Sequence, residues 1–351
     1  MIEGNQEQRG LLALRVLRAR AVGHGDPVAA MSFAQAKSHW SGHQKILHYM
    51  TGKAAVAPVN SLNAPLISEV GSDLLLALRP ITVLGKLGVR RLPLRTRLLT
   101  GSHGAVANWM AESRPIPLTL GSFSALSLDG RKIAALMVAS NDLLRSDLVD
   151  VEQSLLDDLL AACRQVLDMA FLDPQNSGIV DERPASITHP SSGGVLISST
   201  GTSVGALDAD LKSAIAALLA AGSDLSRATW VMSQSLHSKL SLVRGSGGVT
   251  IYPGLSQRGG LLAGLPWIAS QSAPTNIISL IDPQHVGVSE EEPYLSTAKQ
   301  GAIDMSSAPG EPSMTTPVSL FQSESTALKA VLNVDFVARR PSAATVTGVG
   351  L

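Results

Sequence analysis

Residues 147–173 carry the pattern that most constrains how this chain can fold. Asp147, with Asp150 three residues on, can cap the start of a helix, and Asp173-Pro174 ends it. At about 1.5 Å per residue, roughly 25 residues make a rod of about 38 Å. Apolar side chains recur at helical spacing and form one face: Val151, Leu155, Leu156, Leu159, Ala162, Cys163, Val166, Leu167 and Ala170. The pattern predicts one long helix on which other layers pack.

The rest of the chain can supply those layers. It has 351 residues and 45% hydrophobic content, which suffices for one elaborate domain or for two or three modest ones. Lysine and arginine total 28, and so do the acidic residues, so the formal net charge is zero. No overall field therefore draws the molecule to nucleic acid or to an anionic membrane.

Cysteine usage and hydropathy narrow the class further. Cys163 is the single cysteine, which excludes an intrachain disulfide and a cysteine zinc site. No uncharged apolar run is long enough to span a bilayer, and the N-terminal residues lack the pattern of a secretion signal. These features predict a soluble cytoplasmic protein.

Residues 1–72 are basic and poor in core-forming pattern. Between Arg9 and Met50 there are six lysines and arginines and four histidines against one acid, Asp26. Residues 10–22 predict a short helix that ends at Gly23. Two interpretations stay open for this segment. It is either a partly disordered tail or an arm that orders against a neighbouring subunit or a polyanion.

Residues 93–138 predict a long β-hairpin. Segments alternate around Pro115, Pro117 and Gly121, and Asp129-Gly130 marks a tight turn. The apolar content of this excursion is thin for its length, so it has no core of its own. A long thin hairpin needs a partner surface to hold it.

Residues 180–320 alternate strands and helices and predict a mixed α/β domain. A glycine-rich loop, RGSGGVTIYPGLSQRGG, interrupts it at 244–260. The segment 325–341 alternates apolar residues with Lys329, Asn333 and Asp335, which predicts a half-buried strand with one polar face. The fold class is therefore α+β.

The stretch GTSVG at 201–205 has the G-x-S-x-G form of a hydrolase nucleophile elbow, between a strand and a helix. Asp282 and His285 could complete a triad with Ser203, but partners three residues apart would both have to leave one short loop. No oxyanion-hole segment precedes the elbow. The sequence therefore favours an ordinary turn, and a serine hydrolase stays the alternative from a different class.

Phosphate and metal motifs are also weak. TGKA at 51–54 lacks the upstream glycine of a P-loop, and the glycine-rich loop lacks a strand-to-helix setting. His39 and His43 are four residues apart, with Gly42 between them and no partner acid. The prediction is no catalytic residue, no cofactor and no metal. What remains is a basic arm, an unsupported hairpin, a long helix and an α/β domain, a combination typical of an assembly subunit.

Four stretches of the chain carry a resemblance to a known family, in family order from about Leu74 to Leu351. They are NWMAESRPIPLTLGSFSALSLDGRKIAALMVASNDLLRSD, VEQSLLDDLLAACRQVLDMAFLD, ATWVMSQSLHSKLSLV with GGLLAGLPWIAS, and STALKAVLNVDFVARRPSAATVTGV. Together they resemble the major capsid proteins of tailed double-stranded DNA phages, which share the Hong Kong 97 capsid fold.

The resemblance implies a role for each segment. Residues 1–72 would be the N-terminal arm and 93–138 the extended loop over a neighbouring subunit. The peripheral domain, with its spine helix, would comprise 73–92, 139–179 and 321–351, and the axial domain 180–320. Inter-subunit contacts would involve Trp109, Glu112, Arg114, Arg131, Lys132, Arg244 and Arg258.

The resemblance also implies partners. Copies would form hexamers and pentamers of an icosahedral shell in the virion, assembled in the host cytoplasm, around double-stranded DNA bound without sequence specificity. A separate scaffold protein, a portal and decoration proteins would be the other partners, with no membrane. Some family members crosslink a loop lysine to an asparagine of another subunit; Lys132 lies in the corresponding hairpin, and Asn333 is only a candidate acceptor. The runner-up function is an encapsulin-like nanocompartment shell.

Overall fold

A computed structural model divides the chain into two compact units. The described residues are 10–23, 26–37, 40, 44–47, 50, 72–101, 109, 123–145, 149–245, 248–256, 259–291, 293–304 and 317–350. Unit 1 comprises Met1–Gly85, Lys132–Leu167 and Glu292–Asn333. Unit 2 comprises Lys86–Arg131, Asp168–Glu291 and Val334–Leu351.

Helices and strands occur in both units. The helices are α1 (Leu11–Val22), α2 (Pro27–Ala36), α3 (Val83–Lys86), α4 (Asn141–Arg145), α5 (Val149–Leu172), α6 (Val204–Ala220) and α7 (Gln234–Leu242), with further helical residues at 44–47 and 72–78. The strands are β1 (Arg90–Leu92), β2 (Arg97–Gly101), β3 (Phe123–Ser127), β4 (Arg131–Ser140), β5 (Val195–Ser198), β6 (Thr229–Ser233), β7 (Leu255–Ser256), β8 (Gly259–Leu262), β9 (Leu265–Ser270), β10 (Ile277–Ile281), β11 (Val286–Glu290), β12 (Tyr294–Ala298), β13 (Ala302–Ile303), β14 (Val318–Ser319), β15 (Ser325–Ala338) and β16 (Ala343–Thr347).

The long helix is confirmed as α5, which has 24 residues and is therefore about 36 Å long. Its buried apolar side chains include Leu155, Leu156, Leu159, Leu160, Cys163, Leu167, Phe171 and Leu172. Two members of the predicted face, Ala162 and Val166, are exposed instead, because the buried stripe follows residues spaced four apart from Leu155 to Phe171. Burial raises the pKa of the Cys163 thiol to about 11. Asp147 lies outside the described residues.

Two hydroxyl groups hold the C-terminal end of α5. Ser186 Oγ donates to the carbonyl of Phe171 at 2.6 Å, and Thr188 Oγ1 donates to the carbonyl of Leu172 at 2.9 Å. These are carbonyls of the last helical turn, which find no partner within a helix. Ser186 and Thr188 are fully buried, so the bonds fix the chain that leaves the helix.

In unit 1, the predicted N-terminal helix is confirmed as α1, with Gly23 at its C-terminal cap. Arg15 and Arg18 of this helix are buried, although the sequence suggested a solvated basic segment. Arg18 Nε donates to the carbonyl of Leu144 at 2.6 Å. The guanidinium groups of Arg15 and Arg18 lie 5.6 and 5.7 Å from the centre of the Trp40 ring, within range of a cation–π interaction. For α1, the structure thus shows packing within unit 1 rather than a free tail.

The strands of unit 1 include β12, β13, β14 and the first part of β15. The antiparallel pairing of β12 with β15 aligns Tyr294 with Val331 and Ala298 with Ala327. β4 also pairs with β15. The predicted alternation of β15 is confirmed, because every even-numbered residue from Thr326 to Ala338 is buried.

Unit 2 contains a seven-stranded sheet in the order β5-β16-β10-β6-β9-β8-β7. Helix α6 packs on β16 and β5, and α7 packs on β6, β7 and β9. The core between sheet and helices includes Leu207, Leu211, Leu218, Trp230, Met232, Leu236, Leu240, Ile278, Leu280 and Val346. The alternation of strands and helices predicted for residues 180–320 is thus observed. The strands are rich in apolar residues because helices cover the sheet.

The predicted hairpin is present at its base. β2 and β3 pair antiparallel, with Arg97 opposite Ser127 and Gly101 opposite Phe123. Its residues 102–122 lie outside the described part of the chain, except for Trp109. The predicted turn at Asp129-Gly130 follows β3, and Gly130 has φ +75°, a left-handed conformation that glycine adopts without strain.

A buried carboxylate on β15 fixes that turn. Asp335 is 1% exposed, and its Oδ2 accepts hydrogen bonds from the backbone N–H groups of Asp129 at 2.9 Å and Gly130 at 3.4 Å. Its Oδ1 accepts a 2.6 Å charge-assisted bond from Arg131 Nη1. The prediction that Asp335 belongs to an exposed polar face is therefore wrong. The turn residues replace the water that such a face would bind.

One histidine lies in the core of unit 2. His237 of α7 is fully buried, and its ring stacks on Trp267 with 3.8 Å between centroids. Burial lowers the pKa of His237, and a backbone interaction with Ser256 opposes the shift only in part. No acidic residue occurs in β6, β7 or β9, the strands on which α7 packs, so no carboxylate there can compensate a proton on the ring.

We predict that Asp335→Asn lowers the free energy of unfolding by about 2–3 kcal/mol, because it leaves the Arg131 guanidinium without its counter-charge in a largely buried position. Urea unfolding measures the difference. Asp208→Asn is the matched control: Asp208 pairs with Lys212 on the surface at 2.7 Å, and its loss should cost at most about 0.5 kcal/mol. An Asp335→Asn cost no larger than that of Asp208→Asn would contradict the account.

We also predict that His237 destabilises the fold in acid. Its pKa is lower in the folded state than in the unfolded chain, so the unfolded chain binds the extra proton first and stability falls as the pH drops below about 6.5. The loss should reach at most about 1.4 kcal/mol per pH unit. Urea unfolding between pH 7 and pH 5 tests this, with His237→Phe as the control that keeps the ring stack. Equal pH dependence in both proteins would disprove the role of His237.

Candidate assembly surfaces

The GTSVG stretch is a turn that starts a helix, as the sequence favoured. Ser203 is the N-cap residue of α6, and its Oγ accepts a hydrogen bond from the Ala206 N–H at 3.2 Å. Two residues just before the turn, Ser199 and Thr200, bind the buried carboxylate of Asp210. This carboxylate accepts hydrogen bonds from Ser199 Oγ and from the N–H and Oγ1 of Thr200. The hydroxyl of Ser203 thus serves the helix N-terminus, which is the ordinary use of serine at this position.

The candidate triad partners of Ser203 have other local roles. Asp282 is fully buried and accepts hydrogen bonds from Ser223 Oγ and from the Gln284 N–H, which starts a short 3₁₀ turn at Pro283–His285. Within the described part of the chain, no hydrogen bond joins the side chain of Asp282 or His285 to Ser203. Neither of these two residues therefore serves Ser203 as a general base.

Neither a metal cluster nor a membrane-spanning helix occurs in the part of the chain that the structure describes. There, no group of three or more histidine, cysteine or acidic side chains is placed to hold a metal ion. No helix in the same residues has the length and apolar content to cross a bilayer. His39 and His43 lie outside the described residues.

The seven predicted contact residues fall into three groups. Trp109 is fully exposed, and Lys132 and Arg244 are exposed as well. Arg131 is three-quarters buried and is held by Asp335 within the chain. The others, Glu112, Arg114 and Arg258, lie outside the described residues. Trp109 and Arg244 belong to unit 2, and Lys132 belongs to unit 1.

The segment after α7 forms an exposed loop in unit 2. The Ile251 N–H donates to the Val243 carbonyl at 3.2 Å, and Arg244 pairs with Thr250 as an isolated antiparallel bridge. At the two ends of this loop, Leu242 and Val249 are 68% and 71% exposed. These two exposed apolar side chains make the loop a candidate contact surface.

Sequence reasoning missed two features of unit 2. The first is Asp335, because its partners are 204–206 residues away along the chain. The second is a cleft of about 400 Å³ beside the end of β15, whose lining combines arginine and serine with apolar residues such as Leu126 and Pro341. The adjacent arginines of FVARRP were visible in the sequence, but nothing local indicates which residues face them.

Comparisons with known proteins agree with this architecture. A family model described as the phage capsid family matches residues 89–348. A capsid polyprotein of Pseudomonas phage PAJU2 is 30% identical over 364 residues, covering 97% of this chain and 54% of the relative. A major capsid protein of Klebsiella oxytoca phage phiKO2 is 26% identical over 215 residues, covering 60% of this chain and 49% of the relative. The chain thus spans about half the length of these curated relatives.

A solved structure shows the same fold. It is the capsid of a native GTA particle computed with C5 symmetry, with a TM-score of 0.53 and 15% sequence identity over 78% of this chain and 90% of that chain. The mixed helix and sheet architecture is accordingly the α+β fold of Hong Kong 97-like capsids. The family model covers well over half of the chain. The chain therefore belongs to the phage capsid family, as a relative of the major capsid proteins of tailed phages.

Proposed function

We propose that this chain is the structural subunit of an icosahedral phage head, whose copies assemble as hexamers and pentamers around double-stranded DNA. The match to the phage capsid family over residues 89–348 is the observation that carries the proposal. The two curated relatives are phage capsid proteins, which favours a phage head over an encapsulin-like compartment.

The structure supports an assembly role for the hairpin. Its base is fixed by the β2–β3 pairing and by the bonds of Asp335 to the turn that follows β3. Trp109, between these two strands, is fully exposed. A large, fully exposed aromatic side chain is the kind of group that anchors protein interfaces. The hairpin predicted at residues 93–138 would therefore contact a neighbouring subunit, while its last strand, β4, stays paired with β15 of its own chain.

The remaining segments would take matching roles. Residues 1–72 would form the N-terminal arm, and 73–92, 139–179 and 321–351 the peripheral domain. The axial domain would be 180–320, with the exposed loop after α7 as a contact in the capsomer. The resemblance to phage capsid proteins also implies contacts between subunits at Glu112, Arg114, Lys132, Arg244 and Arg258. A scaffold protein, a portal and decoration proteins are proposed partners in the virion, with assembly in the host cytoplasm.

The charge of the chain fits a DNA container. The formal net charge is zero, whereas proteins that hold DNA tightly present strongly basic surfaces to its phosphates. A neutral subunit would enclose the genome without binding its phosphates tightly. Many weak contacts repeated over a closed lattice then stabilise the shell by multivalency.

We further propose that the chain has no catalytic activity. This rests on the N-cap role of Ser203 and on the local roles of Asp282. The structural function of the family points the same way.

Assembly is tested by negative-stain electron microscopy and light scattering of the expressed chain. We expect closed shells, or six-fold and five-fold rings, because the subunit interfaces repeat around both axes. Trp109→Ala should give fewer shells at unchanged circular dichroism. Monomers and dimers as the sole species, even with a co-expressed scaffold protein, would sink the proposal. Enzyme cargo in place of DNA in particles from infected or producing cells would support the compartment instead.

Catalysis is tested by Ser203→Ala. We expect ester turnover at the buffer background in both proteins, and a loss of about 1 kcal/mol of stability in the variant because the helix N-cap is removed. Ser213→Ala is the matched control, since Ser213 lies inside α6 and donates only to the Ala209 carbonyl; it should cost less than Ser203→Ala. Turnover that is present in the parent protein and vanishes in Ser203→Ala would restore the hydrolase hypothesis.

A further inference from the structure

The cleft beside β15 carries excess positive charge. It has a volume of about 400 Å³, and its charged lining residues are Arg131, Asp335, Arg339 and Arg340. Asp335 neutralises Arg131 through their 2.6 Å contact. Arg340 adds a positive charge that this pair does not neutralise. Ser127, Ser191 and Ser192 add hydroxyl groups to the wall. We call this the arginine cleft.

Arg340 is the group in this cleft that lacks a counter-charge. It is exposed, and no ion pair to it occurs among the described residues. A guanidinium presents several N–H donors in a planar fork that matches a carboxylate. The chemistry of the arginine cleft thus fits an acidic side chain from outside the subunit.

A rigid acidic turn lies close to the cleft along the chain. The N–H of Ile179 donates to the Arg183 carbonyl at 2.8 Å, and the N–H of Arg183 donates back to the Ile179 carbonyl at 3.0 Å. Asp181, with φ +62°, takes the left-handed conformation that aspartate tolerates in tight turns. The two reciprocal bonds hold residues 180–182 in one geometry. We call these three residues the acidic turn.

The acidic turn displays its side chains to solvent. Val180 is 85% exposed, and Asp181 and Glu182 are exposed too. Neither acid forms an ion pair within the described part of the chain. Val180 and the two acids complement the arginine cleft, because the cleft has apolar walls and an arginine, Arg340, that lacks a counter-charge.

The turn and the cleft adjoin each other in unit 2, because Pro184 and Ala185, which follow the turn, line the cleft. A surface that carries both halves of a complementary pair can bind a second copy of itself around a two-fold axis, where each contact is made twice. We propose that two copies of this chain meet in this way, each placing its acidic turn in the arginine cleft of the other.

This inference rests on the proposed function, since it assigns one of the contacts that would join subunits in the shell. Glu182 of one copy would pair with Arg340 of the other, and Val180 would leave water against the cleft wall. Exposed ion pairs are individually weak and are screened by salt. The contact therefore matters through its duplication at each axis and its repetition over the lattice.

Charge reversal tests the pairing directly. Glu182→Arg and Arg340→Glu each place like charges together at both halves of the contact, so each should lower the amount of protein in shells at least tenfold. The double variant restores opposite charges in swapped positions, and its yield should return to within about twofold of the parent. Negative-stain microscopy counts the shells, and sedimentation velocity measures the two-fold dimer in the same samples.

Asp158→Arg and Arg90→Glu are matched controls, because they make the same charge changes at exposed positions outside the turn and cleft. They should assemble like the parent.

Unaltered assembly in both Glu182→Arg and Arg340→Glu would overturn the inference while leaving the proposed function intact. A defect in Arg340→Glu that the double variant does not repair would also overturn it, since another acidic partner would then occupy the cleft. If the parent forms no shells, the proposed function fails, and the dimer decides: its loss in the single variants and return in the double variant support the contact, and its absence in the parent refutes it.

Discussion

The buried carboxylate of Asp335 connects β15 with the turn after β3 and with the first residue of β4. It binds two backbone N–H groups of the turn after β3 and the guanidinium that begins β4. Its neighbour Phe336 contacts Phe171 at the end of α5 edge to face, with 5.1 Å between ring centroids. Two adjacent residues of β15 thus tie the hairpin base on one side and the long helix on the other. This support matters because a two-stranded hairpin is only marginally stable by itself in water.

The parts of the fold that the sequence predicts are those with local periodicity. The long helix and β15 follow from the spacing of their apolar residues, and the GTSVG turn follows from the capping preference of serine. Asp335 could not be assigned, because alternation along a strand says which face a residue takes but not whether that face is covered. Likewise, the sequence does not show that the arginines of α1 are buried, because their partners, Trp40 and the Leu144 carbonyl, are distant along the chain.

The sequence predicts even less about the candidate contact surfaces. Interfaces between copies are complementary pairs, and one sequence contains both halves without marking which belongs to which. The acidic turn and the arginine cleft become visible as a pair only when folding brings residues near 127, 184–193 and 335–341 around one cavity. Trp109 and the loop after α7 are single exposed features, whose partner surfaces the isolated subunit does not define.

The burial of Cys163 has a practical consequence for anyone who modifies this subunit. The thiol is 3% exposed and its pKa is about 11, so at neutral pH almost none of it is the thiolate that reacts with maleimides or oxidants. No other cysteine occurs in the chain. A cysteine introduced at an exposed position would therefore be the sole reactive handle on each copy, and dyes or ligands could be attached at one chosen site per subunit without first removing the native thiol.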